Sequence, residues 1–217
     1  MDILPVQKLR QLDNLAKELG LSERLLIENA SSNLFETINK LGLGKNALVV
    51  AGRGNNGADV LSCARKLCSR GYRVKVVALE EKPLGPEGEF QKSLLEKIKI
   101  PIHSISDSNT KELRPLLKES DFVLEGILGI GAKGALSSFL HKVIVLINEA
   151  GKKIVSCDIP SGLSPDEGIS LGGAIKADYT VSFIAAKPGF FKNEGQKLCG
   201  EIFVVDIGIS KNILENL

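Results

Sequence analysis

A short apolar run that ends in a glycine-rich turn is the feature that most constrains the fold of this chain. Residues 48–51 are apolar, and Gly52, Gly54 and Gly57 follow closely. From Val60 onward, apolar residues return at helical spacing. Glycine lets a backbone turn sharply and approach a ligand, and the N-terminus of the following helix attracts phosphate. The stretch therefore predicts a strand, a ligand-binding turn and a helix.

The turn also matches the dinucleotide fingerprint G-x-G-x-x-G at residues 52–57. In such proteins an acidic residue about 20 positions further on binds a ribose hydroxyl at the end of the second strand. Glu80 and Glu81 stand at the corresponding place. This pattern by itself indicates an NAD-linked oxidoreductase. Because no histidine or tyrosine follows a strand to act as the hydride partner, we rank that interpretation last.

Asn55, Asn56 and Asp59 make the turn more polar than nucleotide binding requires. One interpretation is local: the two asparagines adopt turn conformations and Asp59 caps the helix. The other is functional, because two amides and a carboxylate supply oxygen ligands and hydrogen bonds to a ring. Taken alone, the turn favours the local interpretation, and later segments change that preference.

Composition excludes several classes of function. The 217 residues carry a net charge of +2, no tryptophan and two tyrosines, so the chain is expected to bind neither nucleic acid nor a membrane. The four cysteines form no C-x-x-C pair and the two histidines are isolated, which argues against a zinc site. No apolar run reaches spanning length and no signal peptide is visible. We expect a cytoplasmic protein with buried, reduced thiols.

The rest of the chain alternates short apolar runs with amphipathic stretches. Two helices are predicted within residues 1–42, the second capped by Ser22. Strands are predicted at residues 47–51, 73–79, 100–104, 122–124, 153–157, 179–184 and 202–206, and helices at 59–70, 87–97, 111–119 and 136–150. This order predicts an α/β fold with a mostly parallel sheet covered on both faces. We predict one domain, 1–217, in which a helical extension, 1–42, packs on a core, 45–217.

Polar residues follow other predicted strands. Glu125 meets a second glycine-rich turn, either at the surface or as the partner of a cation or ligand hydroxyl. Asp158, with Ser161 after it, either initiates a turn or faces a ligand. Lys187 is either a solvated loop lysine or a phosphate contact. Parallel strands end at one rim, so these side chains and Asn56 should meet there, where their oxygens suit a hard cation or a polar ligand.

Several segments together resemble the NAD(P)H-hydrate epimerase family, also called the YjeF N-terminal domain. The likeness runs in order through nearly the whole chain, at residues 26–30 (LIENA), 52–59 (GRGNNGAD), 125–131 (EGILGIG), 158–163 (DIPSGL), 177–183 (ADYTVSF), 187–189 (KPG) and 200–208 (GEIFVVDIG). The asparagine turn combined with Asp-Ile-Pro-Ser-Gly is far more specific than the glycine pattern alone.

The resemblance implies a Rossmann-like three-layer sandwich with two extra N-terminal helices. It implies an epimerase that interconverts the R and S forms of NADH or NADPH hydrated at carbon six of the nicotinamide ring, as a step of cofactor repair. A dehydratase that repairs one epimer would be the functional partner, and the chain would form a homodimer.

The resemblance also assigns roles to residues. Potassium would be bound by Asn56, Glu125 and Ser161. The hydrated cofactor would be held at the asparagine turn, the second glycine turn and one strand end, by Asn55, Asn56, Gly57, Ala58, Asp59, Gly129, Ile130, Gly131, Ala132, Lys133, Gly134, Ala135 and Asp158. This chain departs from the usual pattern of the family at Ala58 (glycine), Glu125 (aspartate), Leu128 (phenylalanine) and Ile130 (threonine).

Asp158 is the predicted acid–base residue of the epimerisation. The ring nitrogen can expel the neighbouring hydroxyl once that oxygen is protonated, and water that returns to either face scrambles the stereocentre. One carboxyl group at a strand end can supply and remove these protons. Asp59 is the alternative residue. The alternative function is a non-catalytic, nucleotide-binding or scaffolding member of the same fold.

Overall fold

A seven-stranded sheet forms the centre of the protein, seen in a computed structural model that describes residues 1–209. All neighbouring strands run parallel, in the order β3-β2-β1-β4-β5-β6-β7. The strands are β1 (Asn46–Ala51), β2 (Arg73–Leu79), β3 (Ile102–Ile105), β4 (Phe122–Gly126), β5 (Lys153–Cys157), β6 (Tyr179–Phe183) and β7 (Glu201–Val205). The predicted α/β fold with a parallel sheet is confirmed. The end of the predicted domain, 210–217, lies outside the described residues.

Helices cover both faces of this sheet, because alternate side chains of each strand are apolar on opposite sides. On β1, Val49 belongs to one buried cluster, whereas Leu48 and Val50 belong to another. The first cluster includes residues of α1 to α4, and the second includes residues of α5 and α6. The α-helices are α1 (Val6–Glu18), α2 (Glu23–Leu41), α3 (Asn55–Ser69), α4 (Pro86–Lys97), α5 (Leu113–Glu119), α6 (Ser138–Asn148) and α7 (Gly195–Leu198).

The two predicted N-terminal helices are present, and they form an outer layer over α3. The Ser22 hydroxyl accepts a hydrogen bond from the Leu25 amide at 3.4 Å, as the predicted N-cap of α2. Leu34 and Ile38 of α2 are fully buried in the same cluster as Val60 of α3. This packing carries α1 and α2 over the carboxyl edge of the sheet. Among residues 1–209, no helix is both long and apolar enough to cross a membrane.

The start of α3 differs from the prediction in a way that changes the site. The helix begins at Asn55 rather than at Asp59, with Gly54 as an extended N-cap residue. The prediction that Asn55 and Asn56 occupy a turn and that Asp59 caps the helix is therefore wrong. The sequence pattern missed this first turn because its residues are polar, whereas the helical periodicity of apolar side chains starts only at Val60.

Candidate functional site

A cavity of about 900 Å³ opens at the carboxyl edge of the sheet. It lies where the strand order reverses between β1 and β4, which is the switch point at which open α/β sheets bind ligands. The segments that follow β1, β2, β4, β5 and β6 line it, together with residues of α1 and α2. Its volume falls within the range of small-molecule and cofactor sites.

The glycines of the first turn have two different roles. A Cβ atom on Gly52 would lie 1.9 Å from the Ile127 carbonyl oxygen, and one on Gly57 would lie 1.8 Å from the Gly52 carbonyl oxygen. These glycines therefore allow the turn to pack against the loop after β4 and against itself. A Cβ atom on Gly54 would meet nothing within 4 Å, and Gly54 lines the cavity. Among the three, Gly54 is the position open to a ligand.

Asn56 joins the first turn of α3 to the loops after β4 and β5. Its amide nitrogen donates to the carbonyl oxygens of Leu128 at 3.1 Å and of Cys157 at 2.7 Å. The side chain is largely buried and lines the cavity. A Cβ atom on Gly129 would lie 3.2 Å from this amide, so glycine at that position lets the loop after β4 close over Asn56. Asn56 therefore links three of the segments that form the cavity.

Glu125 lies fully buried beneath the cavity lining, at the end of β4. Its Oε1 accepts hydrogen bonds from the Ser156 hydroxyl at 2.5 Å and the Ser161 amide at 3.1 Å. Its Oε2 accepts hydrogen bonds from the Ser161 hydroxyl at 2.5 Å and the Ile127 amide at 3.2 Å. Burial raises the pKa of Glu125, and these hydrogen bonds oppose the rise only in part. Glu125 and Ser161 thus form one hydrogen-bonded unit under the cavity.

Asp158 follows β5 directly and lines the cavity while 7% exposed. Its backbone is left-handed, with a φ of 63°, in a tight turn in which the Ile159 amide donates to the Cys157 carbonyl at 2.7 Å. The side-chain Oδ1 accepts hydrogen bonds from the Phe183 amide at 3.0 Å and from Lys187. Within the described part of the chain, Oδ2 accepts no hydrogen bond. One oxygen therefore anchors the carboxylate and the other is free for a ligand.

Lys187 is not a solvated loop lysine, so that predicted alternative is wrong; because Lys187 lines the cavity, a phosphate contact stays a prediction. The side chain is only 1% exposed, and its ammonium donates to Asp158 and, at 2.7 Å, to the Ser182 hydroxyl. The turn after β6 that leads to it contains a second left-handed residue, Ile184, with a φ of 68°. A buried ammonium needs a partner of opposite charge, and Lys187 forms a buried ion pair with Asp158.

Asp59 lies on the cavity wall, 6% exposed and in the second turn of α3. Among residues 1–209, its carboxyl group has no hydrogen-bond or ion-pair partner. Burial raises the pKa of Asp59 well above its ordinary value, and the negative charges of Asp158, Glu23 and Asp13 raise it further. The cavity thus holds two carboxyl groups in opposite environments, with a cation beside Asp158 and none beside Asp59.

Most of the residues assigned to the cofactor by resemblance line this one cavity. They are Asn55, Asn56, Asp59, Gly129, Ile130, Gly131, Ala132, Lys133, Gly134, Ala135 and Asp158. Gly57 and Ala58 do not line it, although both are buried in α3. Glu81 lines the cavity, whereas Glu80 does not, which leaves Glu81 as the acid that follows β2 at the site.

Four exposed cationic side chains surround the cavity. These are Arg10 of α1, Arg53 of the first turn, Lys82 after β2 and Lys133 after β4. None of the four has an ion-pair partner among the described residues. Their free positive charges suit the phosphate groups of a ligand whose other end reaches the carboxyl groups inside.

The N-terminal helices contribute cavity residues that the sequence did not reveal. Arg10 and Asp13 of α1 and Glu23 of α2 line the cavity. Glu23 accepts a hydrogen bond from the Asn55 side chain at 2.5 Å, which ties α2 to the start of α3. These residues stand on polar helix faces, where charges are ordinarily solvated. No spacing rule in a single sequence distinguishes them.

The polar residues Glu28 and Asn29 of α2 form a structural junction with α3 and with the segment after β7. Burial alone would raise the pKa of Glu28, but hydrogen bonds from Lys66, Arg65 and Ser62 of α3 outweigh it and lower the pKa to about 2. The Asn29 amide donates to a backbone carbonyl after β7 at 2.9 Å. This cluster, here called the Glu28 junction, fixes α2 on α3.

The fold and the cavity define a parallel α/β protein with a cavity at a topological switch point. Residues 23–189 match the family described as YjeF-related protein N-terminus. The chain belongs to this family, whose members include proteins named NAD(P)H-hydrate epimerase.

The chain covers different shares of the length of two relatives that it resembles. It is 33% identical to the NAD(P)H-hydrate epimerase of Elusimicrobium minutum, over all of both chains. It is 36% identical to the bifunctional NAD(P)H-hydrate repair enzyme Nnr of Thermofilum pendens, where it spans 42% of the relative's length. The crystal structure of yeast YNL200c has the same fold, with a TM-score of 0.79 and 21% identity over 95% of this chain and 87% of that one.

Proposed function

We propose that this protein is an epimerase that interconverts the R and S forms of hydrated NADH and NADPH. The observation that carries the proposal is the pair of carboxyl groups, Asp59 and Asp158, on the walls of one cavity at the switch point of the sheet. The rim of free cations supports a ligand that carries phosphates. The relatives named for this activity support the choice of substrate.

The reaction requires protons to move at one ring carbon. In the hydrated ring, carbon six carries a hydroxyl group beside the ring nitrogen. Protonation of that hydroxyl lets it leave as water, while the nitrogen lone pair forms a double bond to carbon six. The product is a flat, cationic iminium species. Water that adds to the opposite face and loses a proton gives the other epimer, so the catalyst needs a proton donor, a proton acceptor and a stabiliser of positive charge.

Asp158 is suited to two of these tasks. Its Oδ2 is free of hydrogen bonds from the described residues, and its Oδ1 is anchored by Lys187 and by the Phe183 amide. A carboxylate held in this way stabilises a nearby cation without having to reorganise. It can also take a proton from the water that attacks.

The proposal includes potassium, held by Asn56, Glu125 and Ser161. These residues supply only amide, carboxylate and hydroxyl oxygens, which fits a large, hard cation better than zinc. Asn56 and Ser161 approach the same Leu128 carbonyl, at 3.1 and 3.2 Å, and the Ser161 hydroxyl contacts Glu125. Bound there, the ion would order the loops beneath the cavity rather than act as a strong Lewis acid.

A thermal denaturation series tests the potassium proposal. We expect the midpoint of unfolding to rise with potassium chloride beyond its rise with equal concentrations of choline chloride. The excess should disappear in the Ser161→Ala protein, because that variant lacks one proposed ligand. Equal midpoints in the two salts for the parent protein would contradict a potassium site.

The partner and the location also remain proposals. A dehydratase acting on one epimer is the functional partner, supported by relatives in which the two activities are named together. A homodimer and a cytoplasmic location complete the proposal. The described cysteines are all free thiols, as expected for a reducing compartment. Light scattering of the purified protein checks the dimer, and a mass near that of a single 23.3 kDa chain would contradict it.

The decisive test of the activity is direct conversion of a single epimer. Purified protein is incubated with one epimer of hydrated NADH or NADPH, and chromatography follows the appearance of the other. We expect conversion well above the rate without protein, and Asp158→Asn should lower it by about 10²–10⁴-fold. Asp107→Asn is the matched control, because Asp107 is also paired with a lysine, Lys142, but on the exposed surface. Binding of the substrate without conversion by the parent protein would favour the non-catalytic alternative.

A further inference from the structure

We propose that Asp59 is a second catalytic residue of this site, the resting proton donor that works together with an ionised Asp158. The inference rests on the proposed function and deepens it. Both side chains line the same cavity, one from α3 and the other from the end of β5. Asp59 is 94% buried, since 6% of it is exposed, and it is without a partner among the described residues.

The two carboxyl groups differ in the hydrogen bonds that they accept. The Asp158 carboxylate accepts hydrogen bonds from an ammonium and from a backbone amide, which are donors that stabilise its charge. Asp59 is buried to the same degree and receives no such donor from residues 1–209. Removing a charge from water without compensation is costly, so the group without donors keeps its proton. Burial and the missing donors therefore favour the protonated form of Asp59.

The charged groups that face Asp59 also raise its pKa. Acidic side chains approach it from three other elements: Asp13 of α1, Glu23 of α2 and Asp158 after β5. Cys63, one turn further along α3, is a buried thiol whose own pKa is raised to the point that it stays neutral. Lys187 neutralises Asp158 in part. The result is a cavity wall on which Asp59 is protonated beside an ionised partner.

This division of protons matches the chemistry of inversion. In the first step the O–H bond of Asp59 breaks and its proton goes to the hydroxyl oxygen on carbon six. The bond between carbon six and oxygen breaks, its electron pair leaves with water, and the nitrogen lone pair forms the double bond. In the second step a water molecule bonds to carbon six, the double-bond pair returns to nitrogen, and the extra proton of that water goes to Asp158.

Each conversion in this direction therefore moves one proton from Asp59 to Asp158, the reverse conversion moves it from Asp158 to Asp59, and exchange with solvent restores the resting state. If Asp59 takes its own proton back, water returns on the side from which it left and the configuration is kept. Inversion requires both carboxyl groups, whereas exchange of the hydroxyl oxygen with solvent requires only Asp59. This difference separates the two residues by experiment.

The first experiment uses one epimer in water labelled with heavy oxygen, with mass spectrometry for label and chromatography for inversion. We expect Asp59→Asn to lose about 10²–10⁴-fold in both rates, because an amide cannot donate the proton. We expect Asp158→Asn to lose inversion by a similar factor while still incorporating label. Asp107→Asn should behave as the parent. Inversion by Asp59→Asn at the parent rate would overturn the inference.

The second experiment tests the protonation of Asp59 independently of activity. A protonated carboxyl group has an infrared carbonyl band that a carboxylate lacks. We expect the band to be weaker in Asp59→Asn than in the parent at neutral pH, and the same loss on going from Asp158→Asn to the double variant with Asp59→Asn. The inference fails if the parent and a folded Asp59→Asn protein do not differ in this band. A band that behaves as expected in a protein that does not invert the substrate would refute the proposed function alone.

The same measurement on the parent at increasing pH needs no variant. The band of Asp59 should persist through neutral pH and disappear only well above the ordinary range of a carboxyl group, because the folded-state pKa is raised. Disappearance near the ordinary aspartate pKa of about 4 would overturn the inference even if Asp59→Asn did not fold.

Discussion

Two acidic side chains, Glu28 packed against helix α3 and Asp59 within it, differ in the hydrogen-bond donors that surround them. Glu28 approaches the outer face of the helix, where Lys66, Arg65 and Ser62 donate to it. Asp59 projects from the cavity end of the same helix and receives no donor from the described residues. The pKa of Glu28 is lowered to about 2, and the pKa of Asp59 is raised well above its ordinary value.

Structural and functional acids in this fold differ in whether donors surround their carboxyl oxygens. A carboxylate whose oxygens are met by cations and hydroxyls stabilises the native state, and its removal is costly. A buried carboxyl group without partners destabilises the native state at neutral pH, and it persists only if the site uses it. Glu125 is a third case, because it is more deeply buried than either yet fully supplied with donors from serines and amides.

The largest effect on stability should come from Glu125. In Glu125→Ala the donors from Ser156, Ser161 and Ile127 lose their acceptor in a buried place, and we expect a loss of about 3 kcal/mol in the free energy of unfolding. Urea denaturation measures it. Glu125→Asp, which keeps a carboxylate on a shorter side chain, should recover part of this loss. An unchanged midpoint in Glu125→Ala would show that these hydrogen bonds do not stabilise the fold.

Glu28→Gln should have the next largest effect. We expect the free energy of unfolding to fall by about 1–2 kcal/mol, because a neutral amide pairs poorly with Lys66 and Arg65 and partial exposure weakens the pairing. The turnover rate should stay near that of the parent, since the Glu28 junction lies outside the cavity. Glu36→Gln, an exposed change on the same helix, is the control. A large loss of turnover without loss of stability would reverse the assignment.

The pH dependence of stability should show the same junction. The folded-state pKa of Glu28 is below its ordinary value of 4.5, so its contribution is complete above about pH 5 and is lost as the pH falls toward 2. Denaturation midpoints measured between these limits should therefore fall more steeply for the parent than for Glu28→Gln. Curves of equal slope would mean that folding does not lower the pKa of Glu28.

Asp59→Asn should change stability with the opposite sign. The folded-state pKa of Asp59 is raised, so the stability linked to its proton is complete below the ordinary pKa and is lost as the pH rises. Removing the ionisable group should therefore stabilise the protein at pH 7 and have little effect at pH 4, while activity falls. Thermal melting at pH 7 and at pH 4 measures this difference. Destabilisation at pH 7 would assign Asp59 a structural role.

The sequence predicted the sheet well because β-strands buried on both faces leave an unbroken apolar signal. Each of the seven predicted strands overlaps an observed one. The sequence also predicted that Asn56 and Asp158 lie at the same edge of the sheet, because parallel strands end together. The side chains that decide the chemistry were harder to predict. The burial of Lys187 could not be predicted, because it depends on a partner 29 positions away.

The first turn of α3 shows the same limit. Its polar residues carry no helical periodicity, so Asp59 looked like a capping residue rather than a buried cavity wall. The N-terminal helices were predicted as helices, but their contribution to the cavity through Arg10, Asp13 and Glu23 was not. A periodic pattern gives the buried face of a helix. It does not tell which of the polar residues will face another element.

The left-handed backbone at Ile184 has a consequence for protein engineering. A branched residue at a φ of 68° costs about 1–2 kcal/mol relative to glycine, yet this position lines the cavity beside Phe183. Glycine at 184 would relieve this strain but would remove a side chain that packs against the first core cluster and lines the cavity. Asparagine at 59 would remove a buried ionisable group together with the proposed proton donor. Thermostability screens of this fold should accordingly exclude both positions.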